Sequence, residues 1–304
     1  MNFTRFCRTE YRETPYSFRI QKTDHITDLL TGECLRMPAA VSSPTLEALT
    51  VKVVSIFPEN TKKGIPLIHA GVLLLDPDSS RSLALIEGSS LTALRTGAAS
   101  GLATDLLARS ESRVAAVIGA GGQARTQVAA ICSVRPIEEV RIYARQPGHI
   151  EDIIREMATR SAREAVRGAD IVCTATYSTK PVFPDASLEP GTHINAIGTY
   201  TPEMHEVPSE TVLRAQVVVD QRDAALAEVG DLCVPIRAGI VGPEIFRAEN
   251  GEMAAGIVPF ERLSDEVTLF KSVGLGVQDT FAAARVYRNA HKMELGTEAV
   301  RDST

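Results

Sequence analysis

The 304-residue chain carries 32 Lys and Arg against 38 Asp and Glu, a formal net charge of −6, with 44% hydrophobic and 23% charged residues. That length suffices for two domains and a sizeable core, the mildly acidic balance argues against a nucleic-acid partner, and no apolar run approaches the roughly 18 residues of a membrane span. The five scattered cysteines, Cys7, Cys34, Cys132, Cys173 and Cys233, and the absence of a secretory apolar segment lead to an expected cytoplasmic location. The six histidines lack paired ligand spacing, so no metal site is expected.

Residues 1–13 carry no motif, and an extended piece begins near residues 16–19. Residues 28–37 read as a turn around Gly32. Residues 49–57 alternate strongly and are rich in β-branched side chains, which predicts a strand. Lys52 stands between Val51 and Val53; the pattern alone favours a lysine on a solvated face. Strands at 70–75 and 82–86, joined by a turn at 76–80, complete a β-rich region with hairpin connections.

Residues 90–108 have helical spacing and many small side chains, with Ser90 as a plausible N-cap. Arg95 lies among these small residues. It reads equally as a surface arginine or as a guanidinium that holds a carboxylate. Residues 114–118 then form a short apolar strand running into Gly119-x-Gly121-x-x-Ala124, the dinucleotide fingerprint with Ala in third place. The first glycine permits the tight turn and the second admits a pyrophosphate. The small third residue lets the helix pack close, and its N-terminus offers N–H groups to phosphate.

A second strand is expected at 140–144. It ends on Ala144-Arg145 without the acid that usually holds a free ribose 2′-hydroxyl, which favours NADP(H), with NAD(H) possible. Helical patterns follow at 149–159 and 162–167, then strands at 169–176, 192–197 and 215–220, and a long amphipathic helix at 277–290. This alternation implies a parallel sheet. The junction is placed near 107–113. The expected division is 1–108 with 270–304 as substrate and dimerisation domain, and 109–269 as dinucleotide-binding domain. Asp220 reads as a cap for the next element, and Asp279 as an acid that suits a helix dipole and has no further task.

Several segments together resemble the ornithine cyclodeaminase/mu-crystallin family. They are Leu94-Arg95-Thr96-Gly97-Ala98-Ala99, Gly119-Ala120-Gly121-Gly122-Gln123-Ala124, the run from Gly191 to Gly198 (Gly-Thr-His-Ile-Asn-Ala-Ile-Gly), and Phe270-Lys271-Ser272-Val273-Gly274 with Asp279. The likeness spans roughly residues 15–293. It implies an α/β protein: a Rossmann-type parallel-sheet domain plus a β-rich substrate and dimerisation domain built from both chain ends, assembled as a homodimer. It further implies that Lys52 and Arg95 are catalytic and that Arg19, Lys52, Arg95 and Tyr200 bind substrate. Cofactor contacts are implied at Thr96, Gly119, Gly121, Gly122, Gln123, Ala124, Arg145, Thr176, Ser178 and Gly198.

Three departures from the family pattern matter. Family members usually begin with a further helical segment that this sequence does not carry; the two readings are a missing dimer contact and an alternative start. No apolar stretch between Glu156 and Gly168 supplies the usual third nucleotide-domain strand. The cyclodeaminase and alanine dehydrogenase branches place an aspartate two residues after the glycine of the Asn-Ala-Ile-Gly motif, where this chain has Tyr200. Deamination of ornithine needs a carboxylate to move protons, and a phenol with an ordinary pKa of about 10 is a poor base at neutral pH. The expected activity is therefore NAD(P)H-dependent reduction of a cyclic 2-imino acid, resembling the family's ketimine reductases. The alternatives are ornithine cyclodeamination with recycled NAD and a catalytically weak mu-crystallin-like NADPH-binding protein. Glu203 and His205 are read as structural.

Overall fold

The computed structural model describes the backbone of residues 17–20 and 24–29, and backbone and side chains of residues 32–145 and 158–298. The strands are β1 (Ser17–Ile20), β2 (Asp24–Leu29), β3 (Gly32–Ser42), β4 (Glu47–Ile56), β5 (Ile68–Leu75), β6 (Ser82–Glu87), β7 (Val114–Ile118), β8 (Glu139–Tyr143), β9 (Ile171–Thr174), β10 (His193–Ala196), β11 (Gln216–Val219), β12 (Phe246–Glu249) and β13 (Thr268–Lys271). Among the described residues the α-helices are α1 (Gly88–Leu107), α2 (Ala124–Val134), α3 (Ala162–Val166), α4 (Ser209–Arg214), α5 (Arg222–Glu228), α6 (Gly230–Arg237), α7 (Asn250–Ala254) and α8 (Gly276–Lys292). The described residues fall into two compact units, one within 96–274 and one within 17–95 together with 275–298. The division falls inside α1, not at the 107–113 junction expected from the sequence, because the helix runs on without a break.

In the unit made of both chain ends, an antiparallel sheet runs in the order β1-β3-β4-β5-β6, with β2 pairing β3. Gly32 opens β3, so most of the expected turn at 28–37 is strand. Helix α8 covers one face, with Val277, Phe281 and Ala283 packed on Val41, Leu46, Ala48, Val72 and Leu74. Strand β4 alternates as a half-covered strand should: Ala48, Thr50, Lys52 and Ile56 are buried, while Val53 on the other face is 41% exposed. Lys52 therefore points into the core side, and the solvated-face reading is corrected. Both faces of β4 are apolar, so alternation alone does not say which one is covered. Helix α1 starts at Gly88, and the carboxylate of Glu87 accepts the N–H groups of Ser89 (2.7 Å) and Ser90 (2.8 Å). Glu87 is the cap, and Ser90 is already helical.

The other unit is a seven-stranded parallel sheet in the order β12-β11-β13-β10-β9-β7-β8. Its short strands are buried on both faces, as parallel strands flanked by helices are; β9, β10 and β13 are buried throughout. The sequence reading had not assigned β13. It lies between β10 and β11, so residues 268–274 belong to this unit. Beyond β8 a single parallel bridge, Ile142 to Ala158, flanks the sheet; residues 146–157, which hold most of the helix expected at 149–159, lie outside the described residues.

Two buried polar ties organise this sheet. His193 and Asn195 share one face of β10, where Asn195 Nδ2 donates to Thr104 Oγ1 of α1 (2.9 Å) and the His193 ring meets Thr268 Oγ1 (2.9 Å). Burial, with Arg262 and Arg135 nearby, lowers the His193 pKa to about 3, so this ring is a neutral structural element. At the end of β11, Asp220 Oδ2 accepts Ser272 Oγ (2.8 Å) and the N–H groups of Val273 (3.1 Å) and Gly274 (2.7 Å). Asp220 does accept Gln221 N–H ahead of α5 (3.1 Å), but its main work is to tie down the exit of β13.

Candidate active site

The antiparallel unit gathers charge at one place. From β4, Lys52 Nζ donates to both carboxylate oxygens of Asp279, each at 3.2 Å. From α1, Arg95 Nε donates to Asp279 Oδ1 (3.1 Å) and a terminal nitrogen donates to Gln278 Oε1 (3.1 Å). Relative exposures are 2% for Lys52, 7% for Arg95 and 0% for Asp279. The local sequence makes this arrangement. Lys52 and Thr50 are two apart on β4 and share a face, while Asp279 and Thr280 are neighbours in the first turn of α8. Thr50 and Thr280 meet through their hydroxyls at 2.6 Å, which sets the register of the pair beside it. Gly276 lets α8 approach β3, since a Cβ there would stand 3.1 Å from Ala39 Cβ. Asp279 thus has a task that the dipole reading omitted.

Two buried cations against one carboxylate leave a net positive charge. A guanidinium has five N–H donors and Arg95 commits two of them here, so capacity remains for an anion. Burial lowers the Lys52 pKa to about 8, with Asp279 opposing and Arg95 adding to the fall. Near neutral pH this ammonium is charged yet able to give up a proton, a property that recurs at catalytic centres.

In the parallel unit, the turn after β7 has the geometry a dinucleotide needs. Gly119 has φ +113 and lies so close to β9 that a Cβ would meet Ala175 O at 2.4 Å. Beside Gly121 and Gly122 a Cβ would meet nothing within 4 Å, leaving open space where pyrophosphate would approach. No side chain caps α2 and no acid stands in its first turn, so its positive end is available. Gln123 Oε1 is buried without a partner. Gly97 of α1 allows α1 and α2 to touch, since a Cβ would come within 2.8 Å of Thr126 O. These features fit a nicotinamide dinucleotide.

The other expected contacts are placed as follows. Thr96 is buried on α1, and Ala124 is buried at the start of α2. Arg145 is exposed just beyond β8. Thr176 and Ser178 follow β9, and Ser178 N–H donates to Thr176 Oγ1 (3.3 Å). Gly198 follows β10, and Tyr200 meets the Tyr177 ring edge to face at 6.1 Å. The Arg19 side chain lies outside the described residues. A cavity of about 580 Å³ lined by Glu139, Arg141, Thr159, Arg163 and Arg167 opens beside the start of β8 and includes none of the residues named above.

Sequence reasoning missed a buried charge network behind Gly198. Glu206, Asp231 and Lys271 are all fully buried. Lys271 Nζ pairs with Asp231 at 3.2 Å, and burial with the neighbouring Asp231 pushes the Glu206 carboxyl up to about 7 against the pull of Lys271. Glu206 had only a position three residues beyond Glu203 to mark it. Its burial follows from long-range packing that no local pattern carries.

The dinucleotide-type parallel sheet of one unit defines the class, a nucleotide-binding protein; the other unit holds the buried Lys52–Asp279–Arg95 cluster. The family model for ornithine cyclodeaminase/mu-crystallin matches residues 12–294. The chain belongs to that family. It is 40% identical over 274 residues to a Delta(1)-pyrroline-2-carboxylate reductase of Bacillus cereus, covering 87% of this chain and 83% of that protein. It superposes on the Thermococcus litoralis Delta(1)-pyrroline-2-carboxylate reductase solved with NADH and L-proline at a TM-score of 0.89, with 38% identity and coverage of 98% and 94%. An archaeal alanine dehydrogenase dimer with bound NAD gives a TM-score of 0.88 at 30% identity, also covering 98% and 94%.

Proposed function

We propose that this chain is an NAD(P)H-dependent reductase of cyclic 2-imino acids, converting Δ1-pyrroline-2-carboxylate or Δ1-piperideine-2-carboxylate to L-proline or L-pipecolate. The observation that carries this reading is the buried Lys52–Asp279–Arg95 cluster. Its net positive charge suits a single substrate carboxylate, and the bacterial and archaeal reductases above act on such a compound by name.

The bound cofactor would supply the hydride, held at the glycine turn of Gly119, Gly121 and Gly122 with α2 at its phosphates. Arg95 takes the substrate carboxylate through its remaining N–H donors, which fixes orientation at small entropic cost. Lys52 adds positive charge beside the imine. As hydride adds to the C=N carbon to form a C–H bond, the π pair passes to nitrogen, which takes a proton. Lys52 is suited to deliver that proton, and Asp279 keeps its ammonium charged enough to do so. Tyr200 completes the substrate contacts in this reading, and the family resemblance adds Arg19 to them.

We place Thr96, Gln123, Ala124, Thr176, Ser178 and Gly198 in contact with the cofactor, and favour NADP(H) because Arg145 stands exposed just beyond β8 and the sequence has no acid at that strand end. We also propose a homodimer that uses the outer face of the antiparallel sheet. There the row Pro38–Val51–Leu73–Leu85 is apolar, with Leu85 78% exposed and the other three partly buried. The free thiols of Cys34, Cys132, Cys173 and Cys233 suit a reducing, cytoplasmic setting.

The test is NADPH and NADH consumption with the two cyclic imines, with pyruvate plus ammonia, and with ornithine plus a trace of NAD. Rapid oxidation with an imine alone is expected. Ammonia release from ornithine would replace this reading with cyclodeamination, and cofactor binding without turnover would replace it with a binding role.

A further inference from the structure

Glu206 lies where two strand-end loops meet. Its Oε1 accepts the N–H of Thr176, after β9, at 2.6 Å. Its Oε2 accepts the N–H of Gly198, after β10, at 2.9 Å and Thr174 Oγ1 at 3.0 Å. The fit around Gly198 is tight, since a Cβ there would fall 2.3 Å from Thr176 N and 2.7 Å from Glu206 Oε2. Glu206 is in turn fixed by Asp231, whose Oδ1 accepts the N–H groups of Glu206 (2.6 Å) and Val207 (2.9 Å). The next residue of the loop is held from the same network. Thr199 Oγ1 donates to Asp231 Oδ2 (2.5 Å), while Lys271 Nζ donates to Thr199 O (3.0 Å) and Oγ1 (2.6 Å).

Two buried carboxyl groups and a buried lysine are a costly way to hold two loops. Well-packed apolar residues of like volume serve stability as well or better, and such networks are justified when they fix one geometry. The geometry fixed here is that of the loops beyond the carboxyl ends of β9 and β10, where ligands of open α/β sheets bind. With the glycine turn after β7 holding the pyrophosphate and Arg145 beyond β8 on the adenosine side, β9 and β10 lie on the nicotinamide side.

We infer that Glu206 is a positioning residue: by clamping Thr176 N–H and Gly198 N–H together it shapes the nicotinamide end of the cofactor seat, with Asp231 and Lys271 holding it in place. This rests on the dinucleotide part of the proposed function and not on the identity of the imine. A carboxylate is required because three donors converge on it, and carboxylate oxygens only accept. An amide of the same shape would turn an N–H against Thr176 or Gly198.

The test compares NADH with ADP-ribose, which has the same pyrophosphate and adenosine but no nicotinamide. In Glu206→Gln, NADH binding measured by its fluorescence should weaken about tenfold, the scale of one or two lost hydrogen bonds. ADP-ribose binding by calorimetry should stay within about twofold. Glu206→Asp, which keeps the charge but withdraws it, should fall between. Retained ADP-ribose binding reports a folded nucleotide unit in the same sample. Equal weakening of both ligands in both variants would make Glu206 merely structural, and unchanged NADH binding would also overturn the inference. Since no imine is used, failure of the reductase reading leaves this test standing.

Discussion

Asp279 grips the Lys52 ammonium through both of its oxygens, at 3.2 Å each, and lends one of them to Arg95 Nε at 3.1 Å. One carboxylate thus sets the charge of a lysine and the orientation of an arginine. Asp279→Asn leaves two buried cations facing each other, so unfolding in urea should show a loss of about 3–5 kcal/mol, the range for breaking a buried pair. Loss of the anion also lowers the Lys52 pKa further. In the folded variant the alkaline fall of kcat/KM should begin at lower pH than in the parent, and an unmoved limb would detach Asp279 from Lys52.

In the proposed mechanism Arg95 holds the substrate carboxylate through a planar pair of donors that no smaller side chain replaces. Arg95→Ala should lower kcat/KM for the imine by about a hundredfold or more, as loss of a charged hydrogen bond at a buried carboxylate does. NADPH binding should stay within a few fold. A matching loss of NADPH affinity would place Arg95 at the cofactor instead.

The pH profile follows from Lys52. Its pKa lies near 8, below the free lysine value, so the charged form is intact at pH 7 and is lost as pH rises through 8. The kcat/KM for the imine should therefore fall about tenfold per pH unit above that point. Lys52→Arg keeps its charge throughout, and should be slower but without that limb. A limb that persists in the arginine variant would belong to another group.

Arg145 stands at the place where dinucleotide enzymes sort their cofactors. If NADPH is preferred as proposed, Arg145→Asp should shift that preference towards NADH, by about tenfold or more in the ratio of kcat/KM values for the loss of one charged contact with phosphate. An unchanged ratio would mean that Arg145 does not meet the 2′-phosphate.

The parallel sheet and its glycine turn were legible because short buried strands and the spacing Gly119-x-Gly121-x-x-Ala124 are local patterns. Strand β13 escaped because its apolar run is short and ends on Lys271, and that lysine is paired inside the fold with Asp231 and Thr199, which stand far from it in sequence. Lys52 was ambiguous for a related reason: β4 has apolar side chains on both faces, and the covering helix comes 220 residues later in the chain as numbered. Arg95 was visible as a cation among small residues, yet its partner Asp279 could be read alone as an ordinary first-turn acid. Charges were readable singly. Their pairing was a tertiary fact.

The separation of 227 residues between Lys52 and Asp279 has a further consequence during synthesis. A growing polypeptide can complete all seven parallel strands and its glycine turn before α8 has emerged, while Lys52 still has no counter-charge. The residues of the parallel sheet are thus all in place before those of the Lys52–Asp279 pair. Chains stopped at Gly274 and tethered through a linker that clears the ribosome exit tunnel should retain a cofactor analogue and ignore the imino acid, the outcome expected if the Lys52–Asp279 pair serves the substrate as proposed.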